Sequence, residues 1–248
     1  MRVHQQAAYV LLNRPYSESS WIVEVFSREY GRLSLMAKGA RRIKSKLKGV
    51  LIPFQPLLVS WSGKGEIPTL TSAEIDQTKF DFINHEMKGD SLVCGFYCNE
   101  LLVNLLHRHD PHISLYDSYQ STLTCLGELS SDLSVANILR EFEQVIIRET
   151  GYEVSFEFEA GGMHPIAPNE NYYFQASKGF VRVDNQVQSY QLDRSIAGHL
   201  ILALNQNSTD LKPSELSQTK HLMREILIQL IGNRKIVSRE LFLPKLRN

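Results

Sequence analysis

The sequence is poor in cysteine, which excludes an architecture built on disulfide bonds. Its cysteines are Cys94, Cys98 and Cys125, an odd number that does not suit a disulfide framework. Free thiols are typical of a reducing compartment, so we expect a cytoplasmic protein. Cys94 and Cys98 share one face of a predicted helix, but they lie in an apolar pattern where cysteine usually acts as a small buried hydrophobe. We therefore predict neither a metal ion nor another cofactor.

Long apolar runs and catalytic motifs are also missing. No stretch of about eighteen uncharged apolar residues occurs, so no membrane-spanning helix is predicted. The segment SGKGE at residues 62–66 lacks the P-loop frame, and no dinucleotide-binding glycine motif, GxSxG elbow or HExxH pair is present. The acidic pairs Glu141/Glu143 and Glu157/Glu159 are two residues apart and do not share a helical face. We therefore predict a protein that is not an enzyme.

Charge is distributed unevenly along the chain, although the net formal charge is zero. Residues 1–80 contain twelve Lys/Arg and six Asp/Glu, residues 81–178 contain five and fifteen, and residues 179–248 contain ten and six. The three parts therefore carry net charges of +6, −10 and +4. Such asymmetry suggests a module that binds a polyanion, joined to a second domain of different character.

Residues 1–80 predict a small β-barrel domain. Five segments are rich in β-branched and aromatic residues or alternate between apolar and polar residues, and turn residues separate them. So many short strands in so short a segment favour closure, which hides the edges of the sheet. We expect a five-stranded OB fold, whose face and loops commonly bind nucleic acid. The predicted strands are Ala7–Asn13, Ser20–Ser27, Arg32–Lys38, Phe54–Gly63 and Ile67–Ile75.

Residues 81–248 predict a mostly helical second domain, so the expected fold class is α+β. Apolar residues recur there at helical spacing, and Gly151 and Gly232 are placed as helix stops. A loop rich in Gly, Pro and Asn interrupts the helices at about residues 159–185 and contains a short hairpin that turns at Lys178–Gly179. The predicted helices cover residues 91–109, 113–129, 131–150, 192–205 and 214–231.

The most distinctive segment is GARRIKSKLKG at residues 39–49, which contains five cations and no acid. Alternating cations are poor core material, but in an exposed loop each can meet one phosphate, and binding then gains chiefly from counterion release. A solvated charge run or a helix surface is the alternative interpretation. The position after the third strand of a predicted OB barrel favours nucleic acid. The candidate cations of this basic loop (residues 38–48) are Lys38, Arg41, Arg42, Lys44, Lys46 and Lys48.

Aromatic side chains could add base stacking to this charge. Tyr16 is the best candidate because it lies in the predicted first loop, and Arg14, Arg28 and Arg32 could extend the positive surface around it. Other aromatic residues of this domain are individually more typical of core packing. These are Trp21, Phe26, Tyr30 and Trp61.

The N-terminal residues contain several distinctive motifs. These are R-P-Y-S-E-S, then G-R-L followed by A-K-G-A-R, L-K-G-x-L-x-P-F, and the closing strand before S-A-E. In these motifs the chain resembles the RecO family of bacterial recombination mediators. The C-terminal K-I-x-S-R-E-L also resembles the ending of the family, whereas the middle is only loosely similar. The resemblance implies an N-terminal OB fold, a helical C-terminal domain and a role in recombinational DNA repair by the RecF pathway. It also implies that Arg41, Arg42, Lys44 and Lys46 belong to a DNA-contacting loop.

The same resemblance implies partners and an activity. RecO-type proteins bind single- and double-stranded DNA and anneal complementary strands without ATP hydrolysis. They engage the acidic tail of single-stranded-DNA-binding protein (SSB) and, with RecR, help RecA load onto coated strands. The implied location is the cytoplasm, in association with the nucleoid. Many relatives hold a four-cysteine zinc site in the region matching residues 159–185, but this segment contains no cysteine, so we expect a metal-free loop held by packing and hydrogen bonds.

An acidic tail would require an apolar pocket rimmed by cations. Arg140 and Arg148 lie two turns apart on one predicted helix of an otherwise acidic domain, which makes them candidates for that rim. Pairing with nearby Glu residues of the same helix is the alternative.

Three other functional classes remain open on sequence alone. An RNA-binding OB protein and a scaffold that binds only proteins through its basic loop would both carry these features. A hydrolase or nuclease would require motifs beyond those recognised above.

Overall fold

The computed structural model describes residues 1–79, 87–128, 132–151, 154–184, 194–206, 211–232 and 234–238. The chain divides into two compact units, one comprising Met1–Phe142 with Lys235–Asn248 and the other Glu143–Arg234. The first unit therefore joins the predicted barrel to the helices that follow it. The domain boundary near residue 80 stays a prediction, because a compact unit need not coincide with a domain.

The N-terminal strands close into a five-stranded barrel with the neighbour order β1-β2-β3-β5-β4. Closure is made by a short parallel contact in which Met36 of β3 lies opposite Thr69 of β5, and the Met36 N–H donates to the Pro68 carbonyl at 2.8 Å. The predicted α+β class with an N-terminal OB barrel is confirmed. The strands are β1 (Arg2–Tyr16), β2 (Ser20–Ser27), β3 (Gly31–Ala37), β4 (Leu57–Ser62) and β5 (Thr69–Ile75).

Strand β1 is longer than predicted because it serves two neighbours. Its first half pairs with β4 and its second half pairs with β2. Register irregularities between Val3 and Gln6 and between Val10 and Leu12 interrupt these ladders, and such irregularities bend a strand and increase its twist. One bent strand can therefore belong to both sides of the closed barrel.

Side chains of the strands alternate between the barrel interior and its outside. Ala8 and Val10 of β1 point into the core, where they meet the inward residues of the other strands. Tyr9 and Phe26, which belong to the opposite set, are also fully buried. Strands β1 and β2 are therefore buried on both faces over part of their length, because the outer face is covered as well. The inward residues include Val23, Val25, Leu33, Leu35, Leu57, Val59 and Trp61.

Helices of the first unit provide that cover. Tyr116 and Tyr119 of helix α3 (Ile113–Glu128) pack on Tyr9, with ring centroids 5.5 and 5.2 Å away. The Tyr116 ring centroid also lies 5.5 Å from that of Phe26. Tyr119 further donates a short hydrogen bond to the Asn99 side chain of α2. The helices are α1 (Leu47–Val50), α2 (Asp90–Leu105), α3 (Ile113–Glu128) and α4 (Asp132–Glu149), the last of which continues into the second unit.

The predicted end of α2 at His109 is wrong, because the helix stops at Leu105. The next residues turn onto the barrel, where Arg108 forms a bridge with Arg32 and the His109 N–H donates to the Arg32 carbonyl at 2.9 Å. The approach is closest at Gly31 (φ +64°), where an added Cβ would lie 2.0 Å from the Asp110 carbonyl oxygen. Only glycine fits this contact, so the connection after α2 is fixed by the barrel.

The second unit contains a small three-stranded sheet with the order β7-β6-β8. The predicted hairpin is confirmed, since β7 begins at Gly179 directly after the turn. A helix over residues 192–205 is wrong at its start, because Ile196–Ala197 pairs with β6 as a strand; residues 192–193 lie outside the described part. The elements are β6 (Asn171–Gln175), β7 (Gly179–Arg182), β8 (Ile196–Ala197), α5 (Gly198–Asn205) and α6 (Pro213–Ile231).

The predicted loop before this hairpin is held by hydrogen bonds. The Glu159 carboxylate accepts from the Tyr172 hydroxyl at 2.9 Å and from the Arg182 guanidinium at 2.6 Å. The Ala167 N–H donates to the Tyr172 hydroxyl at 2.9 Å. Within the described segments, no three His, Cys, Asp or Glu side chains are grouped so as to hold a metal ion. A metal-free state of this loop stays a prediction.

None of the helices in the described parts of the chain is both long and apolar enough to span a lipid bilayer.

Candidate nucleic-acid interface

The basic loop is anchored to the barrel at both ends. Ala40 and Leu51 are fully buried in the barrel core, and the Asn13 side chain of β1 donates to the Leu51 carbonyl at 2.7 Å. The segment was predicted as a loop, with a helix surface as one alternative. The structure has a loop that ends in helix α1, whose Leu47 and Val50 pack partly against the core. Apolar anchors therefore fix a protrusion that carries the cations.

Arg41 ties the basic loop to the turn between β1 and β2. Its backbone N–H donates to the Ser19 carbonyl at 3.0 Å, and its guanidinium donates to the Ser17 carbonyl at 2.5 Å. A guanidinium has five N–H donors, so most of them stay available to a ligand. Tyr16 lies at the same turn, paired with Ser20, and is 51% exposed. The predicted stacking residue is thus brought next to the predicted phosphate-binding loop.

All six predicted cations of the basic loop are exposed. Among the described residues, none of them lies within ion-pairing distance of a carboxylate. Exposed cations without an internal partner keep their charge available to phosphate oxygens. The loop end of the barrel is therefore a concentrated positive surface, to which exposed Arg14 of β1 adds another charge.

Ile43 is a feature of this surface that sequence reasoning missed. It lies in the middle of the basic loop and is 96% exposed. An exposed apolar residue between Arg42 and Lys44 can contact the bases of a nucleic acid whose phosphates the cations hold. Its signal in the sequence was a large apolar side chain flanked by cations. Leu47 is flanked in the same way but packs partly against the core, so the sequence alone did not distinguish the two.

Arg32 lies apart from the basic loop. Its side chain is only 13% exposed, and its Nη1 lies 3.6 Å from Oε2 of the buried Glu24. The same carboxylate accepts from the Ser34 hydroxyl at 2.5 Å and from Arg108 at 2.8 Å. In this Glu24 cluster (Glu24, Arg32, Ser34 and Arg108) the charge of Arg32 faces an internal anion. We therefore leave Arg32 out of the proposed interface.

The other aromatic residues of the barrel have the packing role that was favoured for them. Phe26 and Trp61 are buried, and Tyr30 packs edge-on against Trp61 with ring centroids 5.0 Å apart. Trp21 packs partly against the barrel core. Tyr16 is thus the aromatic candidate that the structure leaves most available for stacking among those predicted.

Of Arg140 and Arg148, only Arg148 lines one of the cavities described among the residues that the structure covers. Arg148 is exposed and lines a cavity of about 150 Å³ together with Gln144, Phe156 and Asn205. Arg140 is half-buried and is not among the residues that line this cavity. The predicted role of the two arginines at an acidic tail stays a prediction.

Comparison with known proteins covers nearly the whole chain. The family model "Recombination protein O N terminal" matches residues 1–78, and the model "Recombination protein O C terminal" matches residues 88–240. A protein of Nitrosospira multiformis named DNA repair protein RecO is 38% identical over 244 residues, which cover 97% of this chain and 95% of that protein. Proteins of the same name from Burkholderia lata and Thiobacillus denitrificans are 39% and 37% identical, covering 98% and 97% of this chain and 83% and 91% of theirs.

Proposed function

Because the chain belongs to the RecO family of DNA repair proteins, we propose that it is a non-catalytic mediator that binds DNA and anneals complementary strands. The observation that carries this proposal is the basic loop, in which six exposed cations lie on one end of a closed barrel without a carboxylate partner among the described residues. Such a surface binds any sequence, because contacts to phosphate carry no information about the bases.

Charge neutralisation accounts for annealing. Two bare strands repel each other through their phosphates, and a fixed cationic surface that accepts both strands lowers this repulsion. Because the cations contact phosphate oxygens, the base edges remain free to pair. Binding releases condensed counterions, so affinity must fall steeply with salt. No bond is made or broken in this mechanism, which agrees with the absence of recognised catalytic motifs in the sequence.

Membership of the family also supports a set of partners. The proposed partners are RecR, the acidic tail of SSB and, indirectly, RecA, whose loading onto SSB-coated single strands the protein would assist. The proposed location is the cytoplasm, where the protein would associate with the nucleoid. Arg140 and Arg148 remain candidates for contact with the SSB tail.

The test is an annealing assay with complementary DNA oligonucleotides and with RNA oligonucleotides of the same sequence, at several salt concentrations. The variant replaces Arg41, Arg42, Lys44 and Lys46 with Ala. Its matched control replaces four other exposed lysines with Ala, so that both variants lose the same charge. The control lysines are Lys64, Lys79, Lys178 and Lys220.

We expect the loop variant to lose annealing and the control variant to keep it. The slope of log affinity against log salt should fall by about 3 for single strands in the loop variant, at roughly 0.7 per lost phosphate contact. Equal annealing of RNA and DNA would favour the RNA-binding alternative. Unchanged DNA binding together with loss of RecR or SSB binding would favour the scaffold.

A further inference from the structure

We propose that a groove between β1 and α2 takes the unpaired bases of a single strand whose phosphates are held by the basic loop. This inference rests on the proposed function and makes its substrate more specific. It assigns the protein a site for single-stranded DNA that is separate from its general affinity for phosphate. The groove lies wholly within the first unit.

The groove has apolar walls that are open to solvent. Its volume is about 430 Å³. Leu12 of β1 and Phe96 of α2 are each 38% exposed, and Val237 of the C-terminal segment is 56% exposed. Large apolar side chains from three parts of the chain therefore line one concave surface. Flat, partly apolar bases suit such a surface, because they stack on aromatic side chains whatever their sequence.

The C-terminal wall is fixed by Glu100 of α2. Its carboxylate accepts hydrogen bonds from the backbone N–H of Val237 at 2.6 Å, from that of Ser238 at 2.9 Å and from the Ser238 hydroxyl at 2.7 Å. Hydrogen bonds to an ionised acceptor are among the stronger ones. The Glu100 carboxylate therefore faces the C-terminal wall. Its hydrogen bonds hold that wall in place before a ligand binds, so the groove is preformed.

Phe96 is held as a stacking platform by its own neighbours. Its ring packs edge-on against Phe54, with centroids 5.0 Å apart and an interplanar angle of 68°. The residue before Phe96 is Gly95, where an added Cβ would lie 3.0 Å from the Phe54 ring. Because Gly95 has no side chain, Phe54 can pack closely against α2. An aromatic ring fixed at its edge and still partly exposed loses little freedom when a base stacks on it.

Two cations border the groove and connect it to the basic loop. Arg14 and Lys235 line it and are exposed. Neither is within ion-pairing distance of a carboxylate among the described residues. Leu12, Arg14 and Tyr16 are alternate residues of β1, which point to one side of a strand. The surface therefore runs from the basic loop along β1 into the groove.

An unpaired strand fits this arrangement better than a duplex does. The bases of a duplex are stacked inside and cannot reach an apolar slot, whereas those of a single strand can turn towards it. The cations of the basic loop accept either form, because both present phosphates. The groove therefore supplies a preference for single strands that charge alone would not provide.

The test measures binding of the full chain to a fluorescein-labelled oligothymidylate and to a labelled duplex of the same length. Phe96→Ala removes the stacking platform, and Phe96→Leu keeps an apolar contact with Phe54 while removing the flat ring. Phe158→Ala is the control, since Phe158 is a 41% exposed aromatic residue of the second unit. Lys235→Ala probes the cation at the rim.

We expect both Phe96 variants to bind the single strand about tenfold more weakly, the effect of losing one stacked base. Their duplex affinity and salt slope should stay unchanged, because stacking releases no counterions. Lys235→Ala should lower the single-strand salt slope by about 0.7, and Phe158→Ala should change nothing. A merely structural role for Phe96 would instead weaken duplex and single-strand binding alike.

Equal losses for the two forms of DNA, or no loss for either, in Phe96→Leu would overturn the inference. The inference would also fail if an acidic peptide with an apolar end bound the wild type but not Phe96→Ala, while the single-strand affinity of that variant stayed unchanged. If the four-alanine loop variant keeps full DNA affinity, the proposed function itself fails. If that variant loses affinity while the Phe96 variants do not, only the groove fails.

Discussion

The loop end of the barrel and its helix-covered face use the same residue types for opposite purposes. At the loop end, arginines and lysines are exposed and no described carboxylate pairs with them. On the covered face, Arg32 and Arg108 surround Glu24, which is 1% exposed. A buried carboxylate without cations would be strongly destabilising, so these arginines serve the fold. The difference shows that burial of a partner decides whether a cation can meet a ligand.

The comparison implies that binding and stability can be separated by mutation. Removing charge at the loop end should change affinity and leave unfolding untouched, whereas changes on the covered face should do the reverse.

Replacing Arg41, Arg42, Lys44 and Lys46 with Ala should weaken DNA binding at low salt by about a thousandfold, since four phosphate contacts are lost. The midpoint of chemical unfolding should change little, because the apolar anchors Ala40 and Leu51 remain and the lost hydrogen bond from Arg41 to the Ser17 carbonyl is exposed to solvent. Fluorescence anisotropy and urea unfolding on the same preparations measure the two quantities. A lower midpoint in this variant would mean that the loop end also supports the fold, and the separation would be lost.

Gly31→Ala should lower the free energy of unfolding by about 3 kcal/mol, because it combines a strained positive φ with a steric clash. The added Cβ would lie 2.0 Å from the Asp110 carbonyl oxygen, at φ +64°. Gly151→Ala is the matched control, with φ +71° and, among the described residues other than its chain neighbours, no atom within 4 Å of the added Cβ. The control should cost only about 1 kcal/mol. Equal costs in urea unfolding would show that the connection after α2 can move away from the barrel.

Glu24→Gln should lower the free energy of unfolding by about 2 kcal/mol. The amide can still accept a hydrogen bond, but the mostly buried Arg32 loses its counter-charge. Because Arg108 is partly exposed, the loss of stability should be smaller than for a fully buried ion pair. Glu29→Gln, at an exposed position of the neighbouring turn, is the control. DNA affinity below the unfolding transition should stay unchanged. A gain in affinity instead would mean that Arg32 and Arg108 had been released to bind phosphate.

Stability should fall by about 1.4 kcal/mol per pH unit for each buried tyrosine as the pH rises above about 10. Burial raises the pKa of Tyr9 and of Tyr116 above the ordinary 10.0, and burial does the same for the pKa of Tyr119. The folded state then keeps protons that the unfolded state loses, so alkaline pH favours unfolding. Urea unfolding across this pH range measures the slope.

Two tyrosine variants sharpen this test. Tyr9→Phe should reduce the alkaline slope at no cost at neutral pH, because the Tyr9 hydroxyl is buried without a hydrogen-bond partner among the described residues. Tyr119→Phe should reduce the slope equally but cost about 1 kcal/mol at neutral pH, since its hydrogen bond to Asn99 is lost. An unaltered slope in both variants would place the titrating groups elsewhere.

Arg28→Ala should have the smallest effect, with no measurable change in unfolding midpoint or DNA affinity. Arg28 of the β2–β3 turn contacts Asp117 of α3 at 3.0 Å, but both side chains are largely exposed, and solvent screens such pairs. Its charge is nevertheless paired, unlike those of the basic loop. A loss of DNA affinity comparable to that of a loop arginine would show that pairing does not decide availability.

Local patterns predicted the five barrel strands and the candidate cations. Strand β2 was predicted to the residue, because alternation and turn residues are encoded within the segment itself. The basic loop was recognisable for the same reason, since a run of cations within one segment can be identified without knowing its distant partners. The burial of Glu24 was not recognisable, because the arginine that completes its site lies 84 positions further along the chain.

Tertiary structure alone decided the covered face and the groove. The end of α2 at Leu105 and the strand at Ile196–Ala197 both depart from their local helical patterns, because pairing with a distant strand outweighs a weak propensity. The groove brings together Arg14, Phe96 and Lys235, which are far apart in the sequence. What the sequence determined by itself was which residues are cationic and which segments alternate. Which cations remain open to a ligand depends on where folding buries the acids, and only long-range packing sets that.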